Sequence, residues 1–323
     1  MAKLLEIKDM SVRYRVSGGM LSAVNKVSLT INEAETFCLI GESGCGKSTL
    51  AFSLMRLLMN GTEEITGSAM LDGVDLLKIS EKEMESVRGK KIGMIFQNPL
   101  DSLNPVYRSG SQVNEAIMLD GVGRSEATAR TIGLYKDLKI PDAERRVSSF
   151  PHELSGGMRQ RVMIAMMLSR HPRLLIADEP TTALDVTIEK QILEIFKKLK
   201  HEKQMSFLII THNFGIVAEI ADRVGVLYAG ELVEMADVYT LFRDPRHPYT
   251  QALMRTLPRI SKSDGRLETI GGIVPRFIGE STGCRFANRC KYCTPRCKSD
   301  EAQMVELEKG HFVKCHKVVD ANG

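Results

Sequence analysis

The sequence predicts an α/β protein: a parallel sheet with helices on both faces, followed by a small cysteine-rich extension. Three observations carry this. Short, almost wholly apolar runs ("ETFCLI", "RLLIAD", "MSFLII") alternate with amphipathic stretches, the pattern of buried parallel strands joined by helices. The first of these runs feeds a glycine-rich loop, "GESGCGKS", that opens a helix. Past about residue 258 the periodicity fades, and five of the seven cysteines crowd between Cys284 and Cys315.

Taken in order, "LLEIKDMSVRYRV" alternates as an edge strand does, with "AVNKVSLTIN" as its hairpin partner. Together they suggest an antiparallel β part beside the parallel core. Residues 47–59 carry helical periodicity, and from about 98 to 165 the pattern is mostly helical with Gly/Pro punctuation. The amphipathic "IEKQILEIFKKLKHEK" separates two buried strands, and "VGVLYAGELVEMA" reads as a closing hairpin around Ala229 and Gly230. The expected division is a main domain over 1–258, with a helical subdomain over about 98–165, and an extension over 259–323.

Composition excludes several classes. Hydrophobic content of 43% with 26% charged residues suits a globular chain, and a net charge of +4 without basic runs gives no nucleic-acid footprint. No run of about eighteen apolar residues is present to span a bilayer. The N-terminal "MAKLLEIKDM" carries no secretory signal, so a cytoplasmic chain without stable disulfides is expected.

Gly41, Glu42, Ser43, Gly44, Cys45, Gly46, Lys47 and Ser48 match G-x-x-x-x-G-K-[ST], with a buried strand before and a helix after. The glycines let backbone N–H groups wrap phosphates, and the helix N-terminus adds its dipole. Lys47 is placed to reach the β- and γ-phosphates, Ser48 to hold Mg²⁺, and Thr49 continues the cradle. Cys45 lies close to Lys47 and a helix start, both of which lower a thiol pKa, so one expectation is a reactive thiol whose alkylation blocks ATP binding, and the other an inert small residue in the loop. The apolar run "LLIADEP" ends in two acids at a strand tip facing the ligand crevice. Asp178 suits Mg²⁺, and Glu179 suits activation of the attacking water.

Between these two motifs lies "LSGGMRQ", and with it the chain resembles the ATP-binding subunits of ABC transporters over about residues 4–245. The resemblance implies a P-loop NTPase cassette with a parallel core, an antiparallel β subdomain and an α-helical subdomain. It also assigns roles. Ser155, Gly156 and Gly157 resemble the signature that binds the γ-phosphate held by a second subunit, with Met158 where Gln is commonest. Gln97 resembles the loop glutamine that reaches Mg²⁺ or the attacking water, and Asp185 the aspartate that crosses to the opposite subunit. His212 resembles the switch histidine on the γ-phosphate, and Tyr14 the aromatic that stacks on adenine. By residue type alone, a lone histidine after a strand is usually a surface residue.

"IFQNPLDSLNPV", "HPYTQALMRTLP" and the tail "GCRFANRC…VKCH" are similar to the oligopeptide/dipeptide importer branch. That resemblance implies an ATPase powering peptide import, peripheral on the cytoplasmic face of the inner membrane. Its implied partners are a second ATP-binding subunit, two integral membrane permeases and an extracellular substrate-binding protein. Relatives of the same branch carry nickel, opines or oligosaccharides, and no residue here touches cargo. A soluble ABC ATPase acting on ribosomes or DNA is the distant alternative.

The extension spaces its thiols as Cys284-x5-Cys290-x2-Cys293-x3-Cys297-x17-Cys315, which argues for a metal staple in a segment too short for a large core. The residues leave zinc and an iron–sulfur cluster open: Cys290-x2-Cys293 is a zinc-like spacing, with His311 and His316 as spare ligands, while a cluster tolerates the wider gaps. The resembling importer subunits have cysteines at the positions of Cys284, Cys290, Cys297 and Cys315, and several carry a [4Fe–4S] cluster there. Cys293 is extra to that pattern.

Overall fold

A computed structural model of the chain describes residues 2–58, 63–97, 103–182, 185–256, 270–279 and 281–322. It divides into two units, Met1–Lys78 with Ile210–Gly323, and Ile79–Ile209.

The first unit opens with β1 (Lys3–Val16) and β2 (Gly19–Asn32), a long antiparallel hairpin. Next come β3 (Thr36–Ile40), buried along its whole length, and helix α1 (Lys47–Met55). β4 (Glu63–Leu71) and β5 (Val74–Asp75) complete a four-stranded sheet in the order β2-β1-β4-β5. β1 is therefore an interior strand, not the edge strand its alternation suggests. β4 pairs with it from Leu5 to Tyr14, so both of its hydrogen-bonding edges are used. Period-2 patterning reports which face is buried, not how many neighbours a strand has. α1 is also shorter than the predicted helix over 47–59. Arg56 turns into the left-handed region (φ 51°), and its N–H closes the helix on the carbonyls of Phe52 and Ser53.

The second unit begins with α2 (Glu81–Val87), whose Ser80 and Glu83 form a reciprocal capping box. It continues through β6 (Ile92–Ile95), α3 (Ser109–Met118), α4 (Arg124–Asp137), α5 (Ala143–Arg146) and α6 (Gly156–Leu168). β7 (Leu174–Asp178), α7 (Val186–Lys203) and β8 (Ser206–Ile210) follow. β6 and β7 pair in parallel, Ile95 opposite Ala177, in the order β8-β7-β6. All three strands are buried throughout, as expected of apolar runs covered on both faces. In the methionine-rich α6, Met163 is fully buried in the core, while Met166 and Met167 are only partly buried.

The chain then returns to the first unit with α8 (Phe214–Ile220), β9 (Arg223–Tyr228) and β10 (Glu231–Asp237). The hairpin between the last two turns on Ala229 (φ 46°) and Gly230 (φ 85°), as the sequence predicts. β3 pairs in parallel with β9. After α9 (Val238–Arg243) and α10 (Pro248–Arg255), the tail forms α11 (Pro295–Ser299), β11 (Val305–Glu308), β12 (His311–Val313) and α12 (His316–Asn322). β12 joins the outer edge of β10, giving the run β11-β12-β10-β9-β3. The tail thus extends the sheet that carries β3 and covers an edge that would otherwise be open. The expected domain boundary near residue 258 lies outside the described residues, as does the start of the helical subdomain at residue 98.

Candidate nucleotide site and cysteine cluster

In the first unit the loop between β3 and α1 is shaped by backbone crowding. A Cβ on Gly46 (φ 107°) would stand 2.4 Å from the carbonyl oxygen of Ala23, and one on Gly41 2.2 Å from that of Leu227. Neither position admits another residue. Gly46 caps α1 without any side-chain partner, so the first N–H groups of the helix face the loop. Lys47, buried, bends back and donates from Nζ to the carbonyls of Gly41 (2.8 Å) and Glu42 (2.9 Å). The loop is thus held closed by the group expected to meet phosphate. Ser43 is exposed and Gly44 has open space, while Ser48 and Thr49 lie half-buried in the first turn of α1. Tyr14 on β1 is half-buried beside that turn. Burial raises its hydroxyl pKa, opposed by a hydrogen bond with Thr49.

Behind the loop, the N–H of Glu42 donates to Tyr249 Oη at 2.9 Å, and the N–H of Gly230 to the Cys45 carbonyl at 2.7 Å. Tyr249 belongs to a cluster of rings with Tyr228 and Phe286. Arg289 reaches the Glu42 carboxylate. Arg289, Phe286 and Tyr249 were not legible as site residues: "RFANR" draws attention for its flanking cysteines, and nothing local names Glu42 as a partner. Cys45 corrects the expectation of a reactive thiol. It is 1% exposed, and burial pushes its pKa up despite Lys47 Nζ at 3.6 Å from the sulfur. His212 follows β8 and is exposed, just ahead of Asn213, whose side chain caps α8.

In the second unit Asp178 ends β7 and is buried. Glu179 follows in the left-handed region (φ 47°), a conformation that turns its carboxylate out of the strand line. Its Oε2 accepts from Gln97 Nε2 at 3.2 Å and from Thr182 Oγ1 at 2.9 Å. The parallel pairing of β6 and β7 brings these residues together, since each follows the same end of its strand. Ser155 is exposed and caps α6, its Oγ accepting from the N–H of Met158 at 3.3 Å. A Cβ at Gly156 would meet nothing within 4 Å, whereas at Gly157 it would press on Ile188 of α7. The buried Gln160 ties α6 to the chain after β7, donating to the Pro180 carbonyl at 2.6 Å. Asp185, also exposed, caps α7 by accepting from the N–H of Ile188 at 2.9 Å. The two residues before it, Ala183 and Leu184, lie outside the described residues.

The tail gathers its thiols. Cys284, Cys290, Cys297 and Cys315 line one small cavity, with Tyr292 and His316. Cys293 stands outside it, its Sγ 3.5 Å from the carbonyl of Thr294. Backbones approach closely here: the Cys284 N–H donates to the Cys297 carbonyl at 2.7 Å. All seven cysteines are free thiols. Burial pushes the Cys284 thiol up to about 12, and raises Cys290 and Cys315 with help from neighbouring thiols. As they stand, no three His, Cys, Asp or Glu side chains among the described residues converge closely enough to hold a metal ion. His311 is bonded to Glu234 at 2.8 Å, and His316 Nε2 lies 3.0 Å from the Asp300 carbonyl.

Residues 24–182 match the family model described as ABC transporter, and residues 233–297 the model described as oligopeptide/dipeptide transporter, C-terminal region. The chain is 44% identical to the oligopeptide transport ATP-binding protein OppD of Bacillus subtilis, over 97% of this chain and 88% of that one. It is 41% identical to the dipeptide transport ATP-binding protein DppD of Escherichia coli, over 99% and 98%. Among solved structures, a dimeric ATP-binding cassette in a post-hydrolysis state with ADP and Pi bound superposes with a TM-score of 0.66 at 26% identity. That match covers 73% of this chain and 99% of the cassette. No helix among the described residues is long and apolar enough to cross a membrane.

Proposed function

The chain belongs to the ATP-binding subunits of oligopeptide/dipeptide ABC transporters, ATPases that power peptide import, and from that premise we propose how its residues divide the work. Tyr14 stacks on the adenine. The backbone N–H groups from Gly41 to Thr49 surround the phosphates, and Lys47 leaves the carbonyls of Gly41 and Glu42 for the β- and γ-oxygens. Ser48 in the first unit, and Asp178 and Gln97 in the second, are the residues that would hold Mg²⁺, which would supply charge neutralisation on the phosphates. Glu179 orients and deprotonates the attacking water, and His212 contacts the γ-phosphate. Ser155, Gly156, Gly157 and Asp185 serve the nucleotide held by a second ATP-binding subunit. The exposure of Ser155 and Asp185 suits that outward role, while Gly156 and Gly157 are half-buried.

The observation that carries the assignment of the base is the Gln97–Glu179–Thr182 cluster: the carboxylate is turned from its strand and fixed by two donors. Glu179→Gln binds ATP with wild-type affinity and hydrolyses it about a thousandfold more slowly. Single-turnover measurement on the purified protein checks this, and near-wild-type turnover refutes the role.

The subunit works as a dimer of cassettes against membrane permeases, peripheral on the cytoplasmic face, and an extracellular binding protein delivers the peptide. Nucleotide-driven closure moves the surface that carries Gln97 and so the permeases. In the tail, Cys284, Cys290, Cys297 and Cys315 hold a [4Fe–4S] cluster, with zinc as the second reading. Their shared cavity supports a four-thiolate set without Cys293. A metal held by these thiols would tie together the turn after Gly283, α11 and the start of α12.

A further inference from the structure

We propose that Arg289 is a positioning residue of the nucleotide site, holding the phosphate loop through Glu42 and cancelling that carboxylate's charge. The inference rests on reading Gly41–Ser48 as the phosphate cradle. Arg289 ends a short 3-10 turn, Ala287–Arg289, and Cys290 follows it directly. Its Nη1 donates to Glu42 Oε2 at 2.9 Å and its Nη2 to Glu42 Oε1 at 3.1 Å, a two-pronged pair across 247 residues of sequence. The two side chains are only 8% and 22% exposed, so water screens the pair weakly.

The guanidinium is also anchored away from the loop. Nε donates to the carbonyl of Gly271 at 2.9 Å, and Nη2 reaches that of Ile270 at 3.2 Å. The group lies over the Tyr228 ring, 5.7 Å from its centroid. Arg289 therefore arrives pre-oriented, and its planar fork matches a carboxylate in a way that lysine cannot.

Glu42 is held at each of its polar points. Its N–H donates to Tyr249, its carbonyl accepts from Lys47, and its carboxylate accepts from Arg289. A carboxylate inside a loop built for triphosphate repels the ligand unless a cation sits beside it. Arg289 supplies that cation from the cysteine-rich tail. Removing it leaves a half-buried negative charge next to the phosphates and frees the loop to shift. A purely structural role, fastening residues 270–272 to the tail, predicts lost stability without lost nucleotide affinity.

The test is equilibrium binding of a fluorescent ATP analogue to the full-length protein, with thermal melting in parallel. Arg289→Ala weakens binding about tenfold, while kcat at saturating ATP changes less than about threefold. Arg289→Lys recovers part of the affinity. In a Glu42→Gln background the same Arg289→Ala change alters Kd less than about twofold, because the charge to be cancelled is gone. Wild-type affinity in Arg289→Ala overturns the proposal, as does an equal loss in the Glu42→Gln background. If Arg289→Ala does not fold, Arg289→Lys decides alone: it weakens binding measurably, and wild-type affinity in it overturns the proposal. Lys47→Ala separates the premise from the inference: it abolishes binding if the loop is the phosphate cradle, and normal binding there removes the cradle reading itself.

Discussion

The loop between β3 and α1 and the stretch from Ser155 to Gly157 are both glycine-rich turns opening a helix, yet they are supported in opposite ways. The first is gripped from several directions: Tyr249 and Arg289 on Glu42, Gly230 on Cys45, and backbone carbonyls where a Cβ on Gly41 or Gly46 would have to go. The second has a single side-chain cap, Ser155 on Met158, and open space at Gly156. A site that must hold a ligand within its own chain is built rigid from behind. On the proposed reading, a site presented to another molecule would need only a stable helix end, with its donors left facing outward.

Substitution of the two glycines sharpens this contrast. Gly46→Ala forces a left-handed alanine against the Ala23 carbonyl, and costs about 3 kcal/mol of stability with loss of ATP binding. Chemical denaturation and nucleotide titration read both effects. An alanine tolerated at position 46 would show that the loop is not fixed as described. Gly156→Ala meets nothing and leaves stability within about 0.5 kcal/mol of wild type. If the proposed role holds, its effect falls on the assembled dimer instead, where ATP hydrolysis drops about tenfold because a methyl group would crowd the nucleotide held by the second subunit. Unchanged hydrolysis in the reconstituted transporter would break the distinction between the two turns.

The same contrast explains what the sequence made legible. The phosphate loop, the two-acid strand end and the Ala229–Gly230 hairpin are local: each rests on residues adjacent in the chain, with turn chemistry that the residue types dictate. The pairing of Gln97 with Glu179 follows once β6 and β7 are taken as parallel neighbours. What escaped is non-local. The interior place of β1 depends on β4, and the Cys45 thiol is set by burial that no motif reports. Arg289 meets Glu42 across 247 residues of sequence, a contact that no local pattern reports.

Asp185 offers a smaller effect on the presented side. Its carboxylate caps α7, so Asp185→Ala costs about 1 kcal/mol, seen as a lower denaturation midpoint. Asp185→Asn retains a good cap and restores stability. If Asp185→Asn hydrolyses ATP more slowly than wild type in the assembled transporter, the charge has a role beyond capping; if its hydrolysis matches wild type, capping is the whole of it.

The smallest expected effect is the most informative about the tail. Cys293 differs from its four neighbours in facing the Thr294 carbonyl rather than the shared cavity. Cys293→Ser therefore keeps the full metal load of an anaerobic preparation, judged by iron, sulfide and zinc analysis and by the visible spectrum. Cys290→Ser loses it, since a serine hydroxyl is a poor substitute for a thiolate in a soft four-sulfur site. A brown protein with iron and sulfide in both wild type and Cys293→Ser fixes the four-cysteine ligand set. A colourless wild type with stoichiometric zinc replaces the cluster, and metal loss in Cys293→Ser brings the fifth thiol into the site.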